Sequence, residues 1–252
     1  MNKNFMKKTI IISLMAIAIF SEAKAQYYLT IWRGDTRMGI IVGASHGFKP
    51  FDLSIPSGYN LDGEATTAFI TPSIGLYSGR EKEINRSTSF GFDGSIVYGK
   101  PITYATLKDA ANNTYDYTFG LNCVTVKENV YFAFSTSRSL QVNVGAGIFE
   151  GFMFGGTATS ESSSPMAPEC TFGDSKGFGF SIGLTTAAGV TYYFSDSFFL
   201  KGSIDALIPL LSSGNMGMDD EWDFGYGSNP SLKATPTTGF CLGASVCIGF
   251  KW

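Results

Sequence analysis

The sequence predicts an all-β fold, an eight-stranded antiparallel transmembrane β-barrel built as an up-and-down meander. Three observations carry this. Long stretches alternate apolar residues with small or polar ones at a period of two. No uninterrupted apolar run after residue 25 is long enough for a helical membrane span. The chain also opens on an export signal. Composition agrees: 15% of residues are charged, 15% are aromatic and 30 of 252 are glycine, whereas a water-facing surface normally carries about 25–35% charge. A lipid-compatible chain without helical spans fits strands that are apolar on one face only.

Residues 1–25 read as a cleaved signal peptide. Lys3, Lys7 and Lys8 form a basic start, and Thr9–Phe20 is apolar apart from Ser and Thr. Ala23-Lys24-Ala25 supplies the small-x-small cleavage pattern and makes Gln26 the mature N-terminus. An uncleaved anchor would need about 20 apolar residues, more than this run offers. Residues 26–252 then form a single barrel domain. Removing Lys3, Lys7, Lys8, Lys24 and Glu22 moves the formal charge from −3 to −6. That argues against a nucleic-acid binder, because no basic stretch remains to track phosphates.

The first strand is Arg37–Phe48, with Met38, Ile40, Val42 and Ala44 on one face and Gly39, Gly43, Ser45 and Gly47 on the other. In Ala65–Tyr77, Ile70, Ile74 and Leu76 share a face with Pro72, whose missing N–H predicts a bulge or a rim position. Ser87–Gly99 places Phe90, Phe92, Ile96 and Tyr98 outward and Ser89, Gly91, Asp93 and Ser95 inward. Residues 115–134 are compatible with one long strand or with two that turn at Lys127-Glu128-Asn129. Leu140–Met153, Gly177–Ser195, Phe198–Pro209 and Thr237–Trp252 complete the set.

With one strand in 115–134, the connectors 49–64, 78–86, 100–114, 135–138, 154–175, 195–197 and 210–236 alternate long and short. Barrels with long outer loops and short periplasmic turns show this order. Two strands there would lead to ten, the alternative.

The decapeptide Gly243-Ala244-Ser245-Val246-Cys247-Ile248-Gly249-Phe250-Lys251-Trp252 resembles the C-terminal signal of bacterial outer-membrane barrels, alternating apolar residues that end in an aromatic. Together with the export signal, it makes the chain similar to the small outer-membrane β-barrel superfamily that includes the OmpA membrane domain and OmpW-like barrels. The resemblance implies residence in the outer membrane among its lipids. It also implies recognition by the barrel-assembly machinery through Phe250 and Trp252, where the usual final residue is Phe.

The expected role is structural or surface-interacting, without catalysis or cofactor. The alternatives are a small porin-like channel or apolar-solute conduit, an outer-membrane lipid hydrolase or acyltransferase, and a soluble secreted all-β binding domain. The soluble fold fits poorly with strands of this length.

No catalytic, cofactor-binding or metal-binding residue is assigned. His46, the single histidine, shares parity with Val42 and Ala44 and should face lipid or headgroups at the rim, with no nucleophile elbow to serve. Asp219-Asp220-Glu221 with Asp223 matches no calcium-loop spacing and reads as a solvated loop. Ser160–Pro168 reads as a loop tip.

Cys123, Cys170, Cys241 and Cys247 form no C-x-x-C pair. Cys241 and Cys247 lie about 20 Å apart along one strand, too far to bridge. Inward parity takes Asp93, Lys201, Asp205 and Lys251, which must pair or be hydrated. A packed polar core and a narrow wet path both satisfy that, since an eight-stranded interior is only just wide enough for side chains.

Overall fold

The computed structural model describes residues 34–47, 51–63, 66–67, 71–162, 170–172, 178–212, 222–224, 232–236 and 239–252. The signal peptide at 1–25, Phe48, Ala65, Gly177, Thr237 and the acidic residues Asp219, Asp220 and Glu221 lie outside the described residues.

Eight strands form the barrel: β1 (Asp35–Gly47), β2 (Thr71–Asn85), β3 (Thr88–Gly99), β4 (Thr114–Ser135), β5 (Leu140–Ser162), β6 (Phe178–Tyr193), β7 (Phe198–Ser212) and β8 (Cys241–Lys251). Each pairs with its neighbour in sequence, and β8 returns to β1, so the wall is a closed antiparallel meander. The seam runs from Arg37↔Lys251 to Gly47↔Cys241. Thr36 N donates to Trp252 O at 2.9 Å and Trp252 N to Thr36 O at 3.0 Å. Residues 115–134 lie within the single strand β4, which gives eight strands rather than ten.

Several boundaries differ from the sequence expectation. The connector expected at 78–86 is a two-residue turn, Arg86-Ser87, because β2 continues to Asn85. Arg80-Glu81-Lys82-Glu83 looks like a solvated loop by charge, yet the alternation persists through it: Tyr77, Gly79 and Glu81 are buried while Ser78 and Lys82 are exposed. Pro72 is the second residue of β2, at its long-connector end, and is exposed. That is the rim position of the two expected. Register shifts fall between Glu83 and Asn85 of β2 and, beside Pro209, between Ile182 and Gly183 in the β6–β7 pairing, and β7 runs on to Ser212.

The connectors 100–114 and 154–175 are not plain loops either. Strands β4 and β5 continue their pairing as far as Tyr115↔Ser162, so Ser160 is part of a ladder. Ile102–Asp109 pairs with β4, Tyr59–Leu61 and Thr66–Thr67 pair with Ile102–Asp109, and Cys170–Phe172 pairs with β5. The β4–β5 register shifts between Leu121 and Asn122, close to where Ile102–Asp109 replaces β3 as the partner of β4. A bulge adds local twist, which suits the passage from curved wall to projecting sheet. A second sheet joins Trp222–Phe224, Leu232–Pro236 and Phe51–Ser54, so Asp223 sits in a strand opposite Lys233.

The wall's two faces differ as a lipid-facing barrel requires. Met38, Ile40, Val42, Ile204, Val246 and Ile248 point outward and are at least half or nearly half exposed. Trp252, Phe250, Phe198 and Phe194 ring the short-turn end, with Phe198 and Phe250 centroids 4.7 Å apart. Tyr98, Phe154 and Phe240 are exposed toward the other end. An even count of antiparallel strands, an apolar outer band between aromatic girdles, short turns at one end and long connectors at the other describe an outer-membrane β-barrel.

Candidate functional site in the barrel lumen

The inward parity of β1 to β8 sends a stack of charged and aromatic side chains into the lumen. Nearest the short turns, Arg37 Nη2 lies 2.8 Å from Glu81 Oε2, with the two residues 2% and 7% exposed. Gln141 Nε2 donates to Glu81 Oε1 at 2.8 Å and Tyr131 OH to Glu81 Oε2 at 3.0 Å. Tyr193 OH donates to Gln141 Oε1 at 3.1 Å, and the guanidinium sits 5.3 Å over the Tyr193 ring. A carboxylate so deeply buried is tolerable only because three donors satisfy it.

The second tier holds Lys201, whose Nζ lies 2.6 Å from Asp93 Oδ2 and 4.8 Å and 5.3 Å from the centroids of Tyr77 and Tyr131. Asn129 Nδ2 donates to the other Asp93 oxygen at 3.0 Å. Tyr131 thus belongs to both tiers. Glycine makes room for it: a Cβ on Gly91 would collide with the Tyr131 phenol. Phe199, fully buried, packs edge-on against Tyr77 at 6.1 Å.

The third tier is the Lys127–Asp205 pair at 2.6 Å. Asp205 lies over Gly243, where a Cβ would meet its carboxylate at 2.9–3.1 Å. Above this pair the lumen widens into a cavity of about 180 Å³. Its walls include Val97, Phe149, Met153 and Leu207 beside small residues such as Ser45, Gly99 and Gly151, and it reaches the strand ends at Gly47, Thr71 and Gly239. Cys123 and Cys241 line it as free thiols, whereas Cys247, also free, is buried below.

The inward assignments of Asp93, Lys201 and Asp205 hold, and the first two meet in one ion pair. Lys251 places its Nζ 5.3 Å over the Tyr193 ring. His46 stands opposite Leu242 near the end of β1, on the outward parity, and is partly exposed. Sequence reasoning missed Arg37, Glu81 and Lys127 as lumen residues. Extending the β2 parity from Tyr77 through Gly79 would have found Glu81. Lys127 was obscured by the alternative turn at 127–129. Among the described residues no group of three His, Cys, Asp or Glu side chains is placed to hold a metal ion.

Beyond the wall, Asp109 organises the turn from Ile102–Asp109 into β4. Ala111 N and Asn113 N each donate to Asp109 Oδ1 at 2.8 Å, and Asn113 Nδ2 donates to Oδ2 at 2.7 Å. Asn112 takes the left-handed conformation, φ 61°, which Asn tolerates better than most residues. The Asn113 side-chain hydrogen bond, opposed by desolvation and aided by the two amides, holds the Asp109 carboxyl below its ordinary range. Desolvation pushes the Tyr115 phenol upward.

No protein-family profile and no curated protein sequence matches the chain. Among solved structures it is similar to Ail, the attachment invasion locus protein of Yersinia pestis, at 13% identity and TM-score 0.36, over 88% of this chain and 100% of that one. It is similar to the outer membrane protein OprG of Pseudomonas aeruginosa at 12% identity and TM-score 0.45, over 87% and 96%. Neisserial surface protein A gives 13% identity and TM-score 0.34, over 86% and 97%. At these values the likeness carries no inference about ligand or activity.

Proposed function

We propose that this chain is exported by a signal peptide at 1–25 and that residues 26–252 serve in the outer membrane as a structural and surface-interacting barrel closed to diffusion. The observation that carries the closed reading is the tiered lumen. Arg37–Glu81, Lys201–Asp93 and Lys127–Asp205 bridge across the interior at successive levels, with Tyr77, Tyr131 and Phe199 filling the gaps between the lower two. A solute would have to break the Arg37–Glu81 and Lys201–Asp93 pairs, which are buried and carry further hydrogen bonds from Tyr131, Gln141 and Asn129. Separating such partners is costly. The surface role is supported by the sheet that β4 and β5 build with Ile102–Asp109 beyond the wall. Assembly through Phe250 and Trp252 fits a closing strand whose aromatic ends stand at the short-turn girdle.

Planar-bilayer recording tests the closed reading. The expected result is no stepwise conductance above the bilayer baseline. Ohmic steps from the unaltered protein would overturn it in favour of a small channel.

A further inference from the structure

The cavity above Lys127–Asp205 has the chemistry of a binding cup. We infer that it takes a small neutral molecule with one hydroxyl end and an apolar body about the size of a single aromatic ring.

The volume sets the size: an apolar cavity of about 150 Å³ is enough to hold benzene, and this one measures about 180 Å³. The walls set the body. Val97, Phe149, Met153 and Leu207 offer apolar and polarizable contacts, and thiols at Cys123 and Cys241 behave as small hydrophobes. The lining is otherwise mostly of small residues, among them Ala44, Ser45, Gly47 and Ser73, which leave room that larger side chains would fill.

The floor sets the polar end. Among the described residues Lys127 Nζ donates to Asp205 Oδ2 alone, and no second side chain donates to the Asp205 carboxylate. An ammonium has three donors and a carboxylate about four acceptor positions, so the pair keeps both kinds of valence toward the cavity. Its two charges cancel, which gives neither a cation nor an anion a reason to enter. A hydroxyl both accepts from Lys127 and donates to Asp205. A purely hydrocarbon guest would cover the pair and leave those valences unmet, a cost that hydroxyl-reading sites use to reject the analogue lacking the group.

The cup is independent of the surface role and of whether the barrel conducts. Its test uses the protein's own thiols as reporters. The full folded barrel in detergent micelles is treated with iodoacetamide, and alkylation at Cys123 and Cys241 is followed by peptide mass, with unmodified Cys247 marking an intact lower lumen. Para-cresol is the probe, and toluene is its match without the hydroxyl. Saturating para-cresol should slow alkylation of both cavity thiols at least tenfold, with toluene needing at least tenfold higher concentration for the same effect.

Ser45→Phe, which fills the cup, should abolish protection. The paired change Lys127→Met with Asp205→Leu should remove the preference for para-cresol. Each variant is first shown to be folded by its heat-modifiable band. Alkylation rates indifferent to para-cresol, equal protection by toluene, or protection that survives Ser45→Phe would each overturn the proposal.

Discussion

The two halves of the lumen are built from the same alternating wall and arrive at opposite interiors. Toward the short turns the inward positions carry Arg37, Tyr77, Glu81, Tyr131, Gln141 and Lys201, large polar side chains that meet in hydrogen-bonded tiers. Toward the long connectors they carry residues such as Ser45, Gly99, Gly151 and Gly243, and a cavity remains. Backbone geometry is common to both, so what decides between plug and cup is side-chain volume. Glycine changes its part accordingly. Gly91 yields space that Tyr131 occupies, and Gly47, at the cavity's outer edge, faces space that stays empty.

The largest effect should come from unpairing the plug. Glu81→Leu leaves the Arg37 guanidinium buried without its counter-charge and should lower stability by roughly 3–5 kcal/mol. The double change with Arg37→Met should recover most of it. Urea titration of the folded barrel checks both, and a single variant as stable as the unaltered protein would show that the tier contributes no net pairing energy.

Next comes a contrast between two glycines of the outer half. Gly243→Val drives a side chain into the Asp205 carboxylate and should cost about 1–3 kcal/mol. Gly47→Val, where an added Cβ meets nothing within 4 Å, should stay within about 0.5 kcal/mol. Equal losses would mean that the cavity's edge at Gly47 is as tightly packed as the floor at Gly243.

The wall, though not the difference between its two interiors, was largely legible in the sequence, and the missing parts have physical causes. Strong alternation in β6 and β8 revealed strand, face and length because lipid on one side enforces uniform apolarity. The end of β2 was hidden because Arg80 and Lys82 place charge on the outward parity near the short-turn rim, where long side chains can reach headgroups. The ladder beyond the wall was hidden for another reason. Ile102–Asp109 and the outer part of β4 leave the membrane, so lipid no longer selects one face, and residues such as Thr106 and Asp116 look like loop. The tiers themselves involve pairs such as Lys201 and Asp93, far apart in sequence, which parity can place inward but cannot match.

A smaller effect is expected at the girdle below the plug. Trp252→Asp puts a charge at the interface and should cost roughly 0–1 kcal/mol in the folded barrel. If residue 252 also serves assembly, the yield of heat-modifiable protein in the membrane should fall much further than that figure implies, while signal cleavage stays normal. Unchanged yield would remove the assembly role.

The smallest effect is local. Because the Asp109 carboxyl is held below its ordinary value in the fold, the turn's stabilisation is complete above the ordinary carboxylate range. It is lost as pH falls through the lowered folded value. Protection of the Ala111 and Asn113 amides, taken against their intrinsic hydrogen-exchange rates at each pH, should fall in that acid window, whereas protection at Gln141, inside the plug, should not follow it.

The seam between β1 and β8 has a consequence for timing. Every other neighbouring pair in the wall is joined by a connector within the chain, but Thr36 and Trp252 meet from opposite ends of the barrel sequence. Loop-closure entropy grows with the logarithm of length, so a contour about fifty times that of a tight hairpin turn adds roughly 3–4 kcal/mol to the search. Hairpins β2–β3 and β4–β5 can zip early and locally. The last contact to form is the one that removes both exposed edges of the sheet at once, and until then those edges are open to pairing with any other unfinished strand. The slow step of this protein's maturation is therefore expected to be ring closure, and a catalyst that holds the β8 edge while β1 finds it would shorten that step more than any help given to the hairpins.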